Sequence, residues 1–258
     1  MGLSESPQVF QDSRNAEYSH HETMSHPLRP VGLAPLIMLF ALSAAAAFAG
    51  SSPEEVRQFE QTKVRADAGE SWSQYSLGNH YEMGSGVKKD LAQAIRWYRK
   101  SAEQGDVDGQ SALANLYFEG PMEVRDQAQG VHWLRKAAEQ GGSGSQRLLG
   151  LAYEQGLGVE KDPIESAKWF EKSAKQGDVI SQRMLGLNQL LSEEGPGRLT
   201  RAYAYFFLAA LNDDTFSKTL CQTLESRMSP EALAEARRRT LELRKEIDAN
   251  LAARKGAK

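Results

Sequence analysis

Cysteine is nearly absent from the chain, which has one such residue among 258. A lone Cys221 cannot form an internal disulfide, and its place on a predicted helical stripe favours a buried thiol over a reactive one. No cysteine lies directly after the apolar stretch near the amino terminus, so a lipid-modified amino terminus is not expected. If the protein is exported, its stability must therefore come from packing.

An excess of charge of one sign is also lacking, because 31 basic residues stand against 34 acidic ones. Residues 1–49 hold two arginines and four acidic residues, and subtracting them leaves 29 basic and 30 acidic residues. A nearly neutral chain gives no electrostatic reason to expect nucleic-acid binding. The remaining length fits one continuous domain rather than two separate cores.

The motifs of common catalytic classes are missing as well. The sequence has no P-loop, no dinucleotide-binding glycine pattern and no His-Glu-x-x-His metal motif. His80 and His132 lack the convergent partners that metal ligation needs, and His20, His21 and His26 lie within the first 49 residues. The sequence therefore predicts no cofactor and no metal site.

What the chain does contain is a repeat of 36 residues. A glycine recurs at Gly69, Gly105, Gly141 and Gly177, each 36 positions after the last. Two kinds of adjacent residue pair recur with the same step of 36. The first is a leucine followed by a small residue: Leu77-Gly78, Leu113-Ala114, Leu149-Gly150 and Leu185-Gly186. The second is an aromatic residue followed by another large residue: Trp97-Tyr98, Trp133-Leu134, Trp169-Phe170 and Tyr205-Phe206. A period in this range is typical of a solenoid whose units stack and bury their apolar faces on each other.

Each unit is predicted to form two helices joined by a glycine turn. In the third unit, helix A covers about residues 145–155 and presents Ser145, Leu149, Gly150 and Tyr153 along one stripe. A glycine in that stripe lets another helix approach closely, at a helix-propensity cost of about 1 kcal/mol. Glycines are predicted to end helix A, and an aspartate is predicted to cap helix B. These residues are Gly84, Gly86, Gly156, Gly158, Asp90, Asp126 and Asp162.

The residue order small-x-x-x-Leu-Gly-x-x-Tyr-x-x-Gly-x-Gly-Val-x-x-Asp, followed by Trp-aromatic-x-Lys-x-Ala-x-Gln-Gly, resembles the Sel-1-like repeat, a relative of the tetratricopeptide repeat. The resemblance covers roughly Val64 to Asp213 and is close in the first and third units, partial in the second and weak in the loop of the fourth. It implies an all-α fold, an α/α superhelical solenoid of about four helix pairs with helical caps. It also implies that helices A line a concave face on which partner proteins dock.

The first 49 residues are predicted to be a signal-peptide region. From Met24, which is an alternative start, a segment with Arg29 runs into an apolar core of about residues 31–48 that ends in Ala47-Phe48-Ala49. These features are typical of a secretory signal, with cleavage expected after Ala49. The competing interpretation is an uncleaved membrane anchor, but the apolar stretch falls short of the roughly 20 residues that a span needs. We therefore expect a periplasmic protein without stable membrane insertion.

Helical caps are predicted on both sides of the repeats. Residues 50–70 form an amino-terminal capping helix that starts with the capping box of residues 52–55. Residues 71–213 hold the four repeats, and residues 214–258 hold carboxyl-terminal capping helices and a short tail. Two buried stripes are predicted there: Phe216, Leu220, Leu224 and Met228, and then Leu233, Ala236, Thr240, Leu243 and Ile247.

Partner recognition is expected on the face of helix A that the repeat leaves free. Residues there differ from unit to unit, and the third and fourth repeats combine two arginines with two leucines, which suits an acidic and apolar segment. The predicted surface is Tyr75, Asn79, Ser111, Asn115, Phe118, Arg147, Leu151, Arg183 and Leu187. By contrast, one glutamine beside the buried stripe is identical in all units and is predicted to be structural: Gln74, Gln110, Gln146 and Gln182.

The sequence therefore predicts a non-enzymatic scaffold, adaptor or regulator in the bacterial cell envelope, with a protein or peptide as partner. The alternative is an envelope hydrolase of the β-lactam or peptidoglycan type, because Ser85 and Lys88 match the Ser-x-x-Lys pattern of penicillin-interacting enzymes. The turn position of this tetrad argues against a hydrolase, as does the lack of the paired cysteines found in Sel-1-like proteins associated with penicillin binding. A third interpretation, a cell-wall glycan binder, requires exposed aromatic side chains such as Phe118.

Overall fold

The computed structural model describes residues 50–191 and 197–256, which form eleven α-helices and no strand. In chain order the helices are α1 Pro53–Asp67, α2 Ser71–Met83, α3 Leu91–Glu103, α4 Val107–Glu119, α5 Gln127–Glu139, α6 Ser143–Gln155, α7 Pro163–Ala174, α8 Val179–Leu191, α9 Arg198–Ala210, α10 Thr215–Glu225 and α11 Pro230–Gly256. The predicted signal segment, residues 1–49, lies outside the described residues, as do residues 192–196 of the fourth loop.

Four consecutive helix pairs make up the array, and the predicted all-α solenoid is confirmed. The first helices of the pairs, α2, α4, α6 and α8, are helices A, and the second helices, α3, α5, α7 and α9, are helices B. Helices A begin at Ser71, Val107, Ser143 and Val179, in steps of 36 residues. Each helix from α1 to α9 packs on the next one in sequence, and α2 also packs on α4, the helix A of the following repeat.

Local capping explains where the helices begin and end. The Asp90 carboxylate accepts a hydrogen bond at 3.0 Å from the backbone N–H of the third residue of α3, and Asp126 and Asp162 cap α5 and α7 in the same way. Helices α2 and α6 end at Gly84 and Gly156, whose φ angles of 76° and 73° lie in the left-handed region that favours glycine. These caps and turns were predictable because they depend on residues only a few positions apart.

Within each pair, a small residue on helix A lies against a large residue on helix B. A Cβ built at Gly150 would be 2.9 Å from Cδ1 of Phe170, which is 1% exposed. The same close approach joins Gly78 to Tyr98 and Gly186 to Phe206. Burying a side chain such as Phe170 stabilises the fold by about 1.5–3 kcal/mol, which exceeds the cost of about 1 kcal/mol for a glycine within a helix.

Buried glutamines tie each repeat to the one before it. Gln110 Nε2 donates to the carbonyl of Ala102, eight residues earlier, at 3.2 Å. A second glutamine donates to the first, since Gln140 Nε2 lies 2.8 Å from Gln110 Oε1. The equivalent bonds to the preceding helix join Gln74 to Ala66, Gln146 to Ala138 and Gln182 to Ala174. The prediction that these glutamines are structural is confirmed.

Helix α1 covers the amino-terminal end of the array. Ser52 and Glu55 form the predicted capping box, in which Glu55 N donates to Ser52 Oγ at 3.2 Å and Ser52 N donates to Glu55 Oε2 at 2.6 Å. Phe59 is 6% exposed and meets a tyrosine ring of α2 edge-on, with ring centroids 5.5 Å apart. Ser51 Oγ also accepts a hydrogen bond from Gly86 N at 2.9 Å. The residues just before α1 therefore also contact the first repeat.

Helix α10 begins 36 residues after α8, in the place of a fifth helix A, but its buried side differs from the predicted stripe. Phe216 is 52% exposed, whereas Cys221 and Leu224 are buried. Met228 lies beyond the end of the helix at Glu225. An α-helix has 3.6 residues per turn, so residues spaced by four drift by about 40° at each step and leave a common face over three steps. The prediction of one stripe from 216 to 228 is wrong for this reason.

The long helix α11 packs on α9, where the fourth repeat departs from the pattern of the others. In the first three repeats a lysine ammonium lies over a tryptophan ring: Lys100 over Trp97 at 3.7 Å, Lys136 over Trp133 at 4.3 Å and Lys172 over Trp169 at 3.9 Å. The fourth repeat has Tyr205 and Leu208 instead, and Leu208 is 2% exposed. Ala236, Thr240 and Ile247 of the predicted α11 stripe are buried. In the fourth repeat, α11 therefore covers helix B, where the other repeats have a lysine over a tryptophan ring.

Farther along, α11 runs back across the array. Asn250 Nδ2 donates to the carbonyl of Lys175 at 3.2 Å, just after the end of α7. Arg254 Nη2 donates to the carbonyl of Gly141 at 2.6 Å, just after the end of α5. The helix therefore connects the fourth repeat to the junctions that follow the second and third repeats, in addition to covering the carboxyl-terminal end.

Candidate interaction surface

The predicted partner surface lies on helices A of the four repeats. Of its nine residues, Asn115 is exposed and Phe118 is buried. The remaining seven are half-buried: Tyr75, Asn79, Ser111, Arg147, Leu151, Arg183 and Leu187. A half-buried side chain also contacts the array, and these contacts decide how much of it a partner can reach.

In the first two repeats, the predicted residues mostly join helices to each other. The ring centroids of Tyr75 and Tyr98 are 5.9 Å apart, and Asn79 Oδ1 accepts a hydrogen bond from Tyr98 Oη at 2.6 Å. Burial, which disfavours the phenolate, is the main reason that the pKa of Tyr98 is raised. The hydroxyls of Ser111 and Ser145 are 2.8 Å apart and connect α4 to α6. This half of the surface is polar and largely engaged within the array.

The two predicted arginines each pair with an aspartate that caps a later helix. Arg147 Nε lies 3.4 Å from Asp178 Oδ2, and Arg183 Nη1 lies 2.8 Å from Asp214 Oδ1. The Arg147 pair is the looser one, because its Nε makes no well-aligned hydrogen bond. Burial raises the pKa of Asp214, but hydrogen bonds from Ser217 and the charge of Arg183 outweigh burial and hold the pKa below its ordinary value of 3.8. The aspartates therefore neutralise much of the positive charge that an acidic partner would meet.

Phe118 is not part of the accessible surface. It is 6% exposed and belongs to the central hydrophobic cluster. A Cβ built at Gly130 would be 3.1 Å from Phe118 Cδ2, so the ring lies against α5, the helix B of its own repeat. Other repeats have alanine or serine at the position of Gly130, and the missing side chain makes room for the ring. The prediction that Phe118 is exposed and available to a partner or a glycan is wrong.

Sequence reasoning did not predict the exposure of three apolar side chains that share the second position of their helices. Trp72 of α2, Ile180 of α8 and Phe216 of α10 are 60%, 40% and 52% exposed. Their spacing in multiples of 36 residues was the signal that could have identified them. The guanidinium of Arg183, one turn beyond Ile180, lies 5.9 Å from the ring centroid of Phe216. We call Ile180, Arg183, Leu187 and Phe216 the carboxyl-terminal patch.

The Ser-x-x-Lys tetrad does not form a nucleophile and base pair. Ser85 Oγ donates to Glu55 Oε1 at 3.2 Å, and His80 Nδ1 lies 2.7 Å from the carbonyl oxygen of Ser85. Lys88 is exposed, and no hydrogen bond within the described chain joins it to Ser85. A nucleophilic serine needs its base within hydrogen-bond reach. Nothing in this geometry supports the hydrolase interpretation, and the bond to Glu55 instead ties the first turn to α1.

Neither a metal centre nor a membrane span emerges from the part of the chain that the structure describes. Across residues 50–191 and 197–256, no three His, Cys, Asp or Glu side chains come together in a way that could hold a metal ion. None of the helices in these same ranges is both long enough and apolar enough to cross a membrane.

The helix pairs, their period and their close glycine contacts define an all-α repeat solenoid. The family model for the Sel1 repeat matches residues 73–106, 107–142, 143–178 and 179–214, which together make up more than half of the chain. The chain therefore belongs to the Sel1 repeat family. Sel1 repeat proteins generally act as non-enzymatic scaffolds that mediate protein–protein interactions.

The chain is similar to known proteins over different lengths. A Sel1 repeat protein from Oxalobacter formigenes is 28% identical with a TM-score of 0.60, over 82% of this chain and 87% of that protein. A protective antigen of uropathogenic Escherichia coli with an SLR fold is 26% identical with a TM-score of 0.48, over 85% of this chain and 55% of the antigen. A sel1-like repeat-containing protein of Acanthamoeba polyphaga mimivirus is 44% identical over 45 residues, 17% of this chain. The chain spans about half the length of the antigen and 8% of the mimivirus protein.

Proposed function

We propose that this chain is a non-enzymatic adaptor, scaffold or regulator of the bacterial cell envelope, which binds a segment of a partner protein along helices A. The general role follows from the family. The observation that carries the proposal is the carboxyl-terminal patch, where Ile180 and Phe216 expose 40% and 52% of their surface. Packing of the array does not require apolar residues there, because the second and third repeats have Asp108 and Gly144 at the same position.

The chemistry of the patch favours a partner segment with apolar side chains and a small number of acidic groups. Burial of apolar surface contributes about 25 cal/mol per Å², and exposed aromatic residues such as Phe216 are frequent anchors of interfaces. Leu187 extends the apolar surface by one turn beyond Arg183. Because Arg183 already pairs with Asp214, its charge orients the segment, while the apolar contacts supply most of the affinity.

The proposed surface continues toward the amino-terminal repeats and becomes more polar. The third repeat adds one arginine and one leucine, and the first two repeats add a tyrosine, two asparagines and a serine. These residues are Arg147, Leu151, Ser111, Asn115, Tyr75 and Asn79. A bound segment would therefore place its apolar end on the fourth repeat and its polar end on the first and second.

Photo-crosslinking in intact cells tests this surface. A photoreactive amino acid is placed at position 180, and the same amino acid at position 164 is the matched control. Ile164 is 72% exposed but lies on α7, a helix B. We expect one partner to be crosslinked from position 180 and none from position 164.

Crosslinking of the partner from position 180 must also depend on Phe216, the neighbouring aromatic residue. Phe216→Ser, in the background of the crosslinker at position 180, should abolish the adduct, because it removes the apolar anchor beside Arg183 without touching the buried core. Adducts of equal yield from positions 180 and 164, or an adduct at 180 that persists in Phe216→Ser, would contradict the proposed surface.

Export through the amino-terminal signal is the second part of the proposal. Ser51 Oγ accepts a hydrogen bond from Gly86 N at 2.9 Å, and a chain cleaved after Ala49 would keep this contact with the first repeat. Mass spectrometry of the protein from a periplasmic fraction should find a chain that begins at Gly50. A product that keeps its apolar segment and fractionates with the membrane would contradict cleavage.

A further inference from the structure

The chain has four tryptophans, of which three are packed and one is not. Trp97, Trp133 and Trp169 are 9%, 6% and 6% exposed, and a lysine ammonium lies over each ring. Trp72 is 60% exposed and makes no ring or cation contact with any described residue. The next two repeats have an aspartate and a glycine at its position. The fold therefore gives no reason for an indole at this place.

Trp72 is one of the residues that line a cleft of about 290 Å³ between α1 and α2. Gln61, Thr62 and Arg65 line the cleft from α1, and Ser76 lines it from α2. Within the described chain, the side chains of these four residues form no hydrogen bond and no ion pair. The cleft thus combines an open aromatic face and an unpaired guanidinium with amide and hydroxyl groups that have no protein partner.

We propose that this cleft binds a saccharide that carries a carboxylate. The C–H bonds on one face of a pyranose ring pack on an indole face, and the ring hydroxyls exchange hydrogen bonds with amide and hydroxyl side chains such as Gln61 and Ser76. The guanidinium of Arg65 can hold a carboxylate through two parallel hydrogen bonds. The cleft volume lies just below the range for drug-sized ligand sites, about 300–1,000 Å³, which suits one or two sugar rings.

A protein segment fits this cleft less well than it fits the carboxyl-terminal patch. The cleft is small and lined mainly by polar residue types, whereas the patch is open and mainly apolar. The two sites are on different repeats, since Trp72 belongs to the first pair and Ile180 to the fourth. The saccharide site is therefore separate from the carboxyl-terminal patch, and either site can be disproved while the other stands.

Calorimetric titration of the full-length chain tests the site. The probe is a disaccharide of glucuronic acid and N-acetylglucosamine, and its carboxyl-reduced counterpart is the matched ligand. We expect the acidic disaccharide to bind and Trp72→Ala to weaken binding by about tenfold or more, which corresponds to the loss of one well-formed aromatic contact. Ile180→Ala, at the same position of the fourth repeat, should leave the affinity unchanged.

A second pair of variants measures how much the carboxylate of the ligand contributes to the binding affinity. Arg65→Gln should weaken binding of the acidic disaccharide by about tenfold, because it removes a charge-assisted contact. It should leave the weaker binding of the carboxyl-reduced disaccharide unchanged. Lys63→Gln, an exposed neighbour on α1, should have no effect on either ligand.

Three results would overturn the inference. The first is a wild-type chain that binds neither disaccharide at millimolar concentration. The second is binding that Trp72→Ala does not change while circular dichroism shows a folded variant. The third is Trp72-dependent binding of a dipeptide with a free carboxylate in place of the disaccharide, which would assign the cleft to a peptide terminus.

Discussion

Gly150 of α6 lies so close to the ring of Phe170 of α7 that a Cβ at position 150 would be 2.9 Å from Cδ1. The second repeat has Ala114 and Leu134 at the same two positions, and both are fully buried. A larger residue on helix A thus goes with a smaller residue on helix B. The combined volume of the two positions, rather than the identity of either residue, is what the helix pair requires.

This relationship predicts energetic coupling between the two positions. Gly150→Ala should lower the free energy of unfolding by about 1–3 kcal/mol, because the added methyl group overpacks the contact and outweighs the better helix propensity of alanine. Phe170→Leu should also destabilise, by about 1–2 kcal/mol. The double variant reproduces the pair of the second repeat and should be more stable than the sum of the two changes by about 1 kcal/mol. Urea denaturation followed by circular dichroism measures all three.

The matched control replaces the equivalent aromatic residue of the next repeat. Phe206 packs on Gly186 rather than on Gly150, so Phe206→Leu combined with Gly150→Ala should show additive losses. If Phe170→Leu and Phe206→Leu combine with Gly150→Ala in the same additive way, the contact of Gly150 with Phe170 does not set the helix spacing.

The features that the sequence predicted well are those that act over short distances or repeat in register. Asp90 and Ser52 cap helices whose first turns follow directly. Gln110 bonds to a carbonyl eight residues earlier, and its identity in every unit marks it as structural. Periodicity also located the small residue at position 150, because packing between stacked units repeats with the sequence.

The features that the sequence did not predict arise from contacts between distant positions. Arg147 forms an ion pair with an aspartate 31 residues later. The sequence had instead predicted that Arg147 would contact a partner. Phe118 is buried because a single glycine replaces a larger residue on the next helix. Arg254 of α11 bonds to a carbonyl 113 residues earlier, and no periodic pattern specifies where a non-repeating helix will pack.

The glutamine ladder predicts that the same substitution has unequal costs in different repeats. Gln110 donates to Ala102 and accepts from Gln140, so Gln110→Met removes two hydrogen bonds within the array and should cost about 1–3 kcal/mol. Gln182 donates to Ala174 at 3.3 Å, and its buried Oε1 has no hydrogen-bond partner. Gln182→Met removes one hydrogen bond but also an unsatisfied buried acceptor. Its loss of unfolding free energy should therefore be about 1 kcal/mol smaller than that of Gln110→Met.

The ladder ends at Gln182 for a reason visible in the sequence. The residue that should donate to Gln182, by the step of 36 residues from Gln104, Gln140 and Gln176, is Asn212. Its side chain is one methylene shorter, and its Nδ2 donates to the carbonyl of Leu208 at 3.1 Å instead. Comparison of the two methionine variants by urea denaturation measures the difference. Equal losses would mean that Gln182 Oε1 is satisfied in solution.

Cys221 gives a pH dependence whose sign follows from its burial. Burial raises the pKa of the thiol from its ordinary value of 9.0 to about 12. Between these values the unfolded chain releases the thiol proton while the folded chain keeps it. The contribution of Cys221 to stability is therefore fully present below about pH 9 and is lost as the pH rises toward about 12.

Cys221→Ala removes this titration and isolates its effect from that of the tyrosines, whose raised pKa values act in the same direction. The free energy of unfolding of the variant should therefore fall less steeply than that of the wild type between about pH 8.5 and 10.5. Alkylation of the wild-type thiol at about pH 8.5 should likewise be slow in the native protein and fast in urea, because only the unfolded chain forms the thiolate. Parallel loss of stability in the variant and the wild type would show that Cys221 is accessible to water in the folded protein.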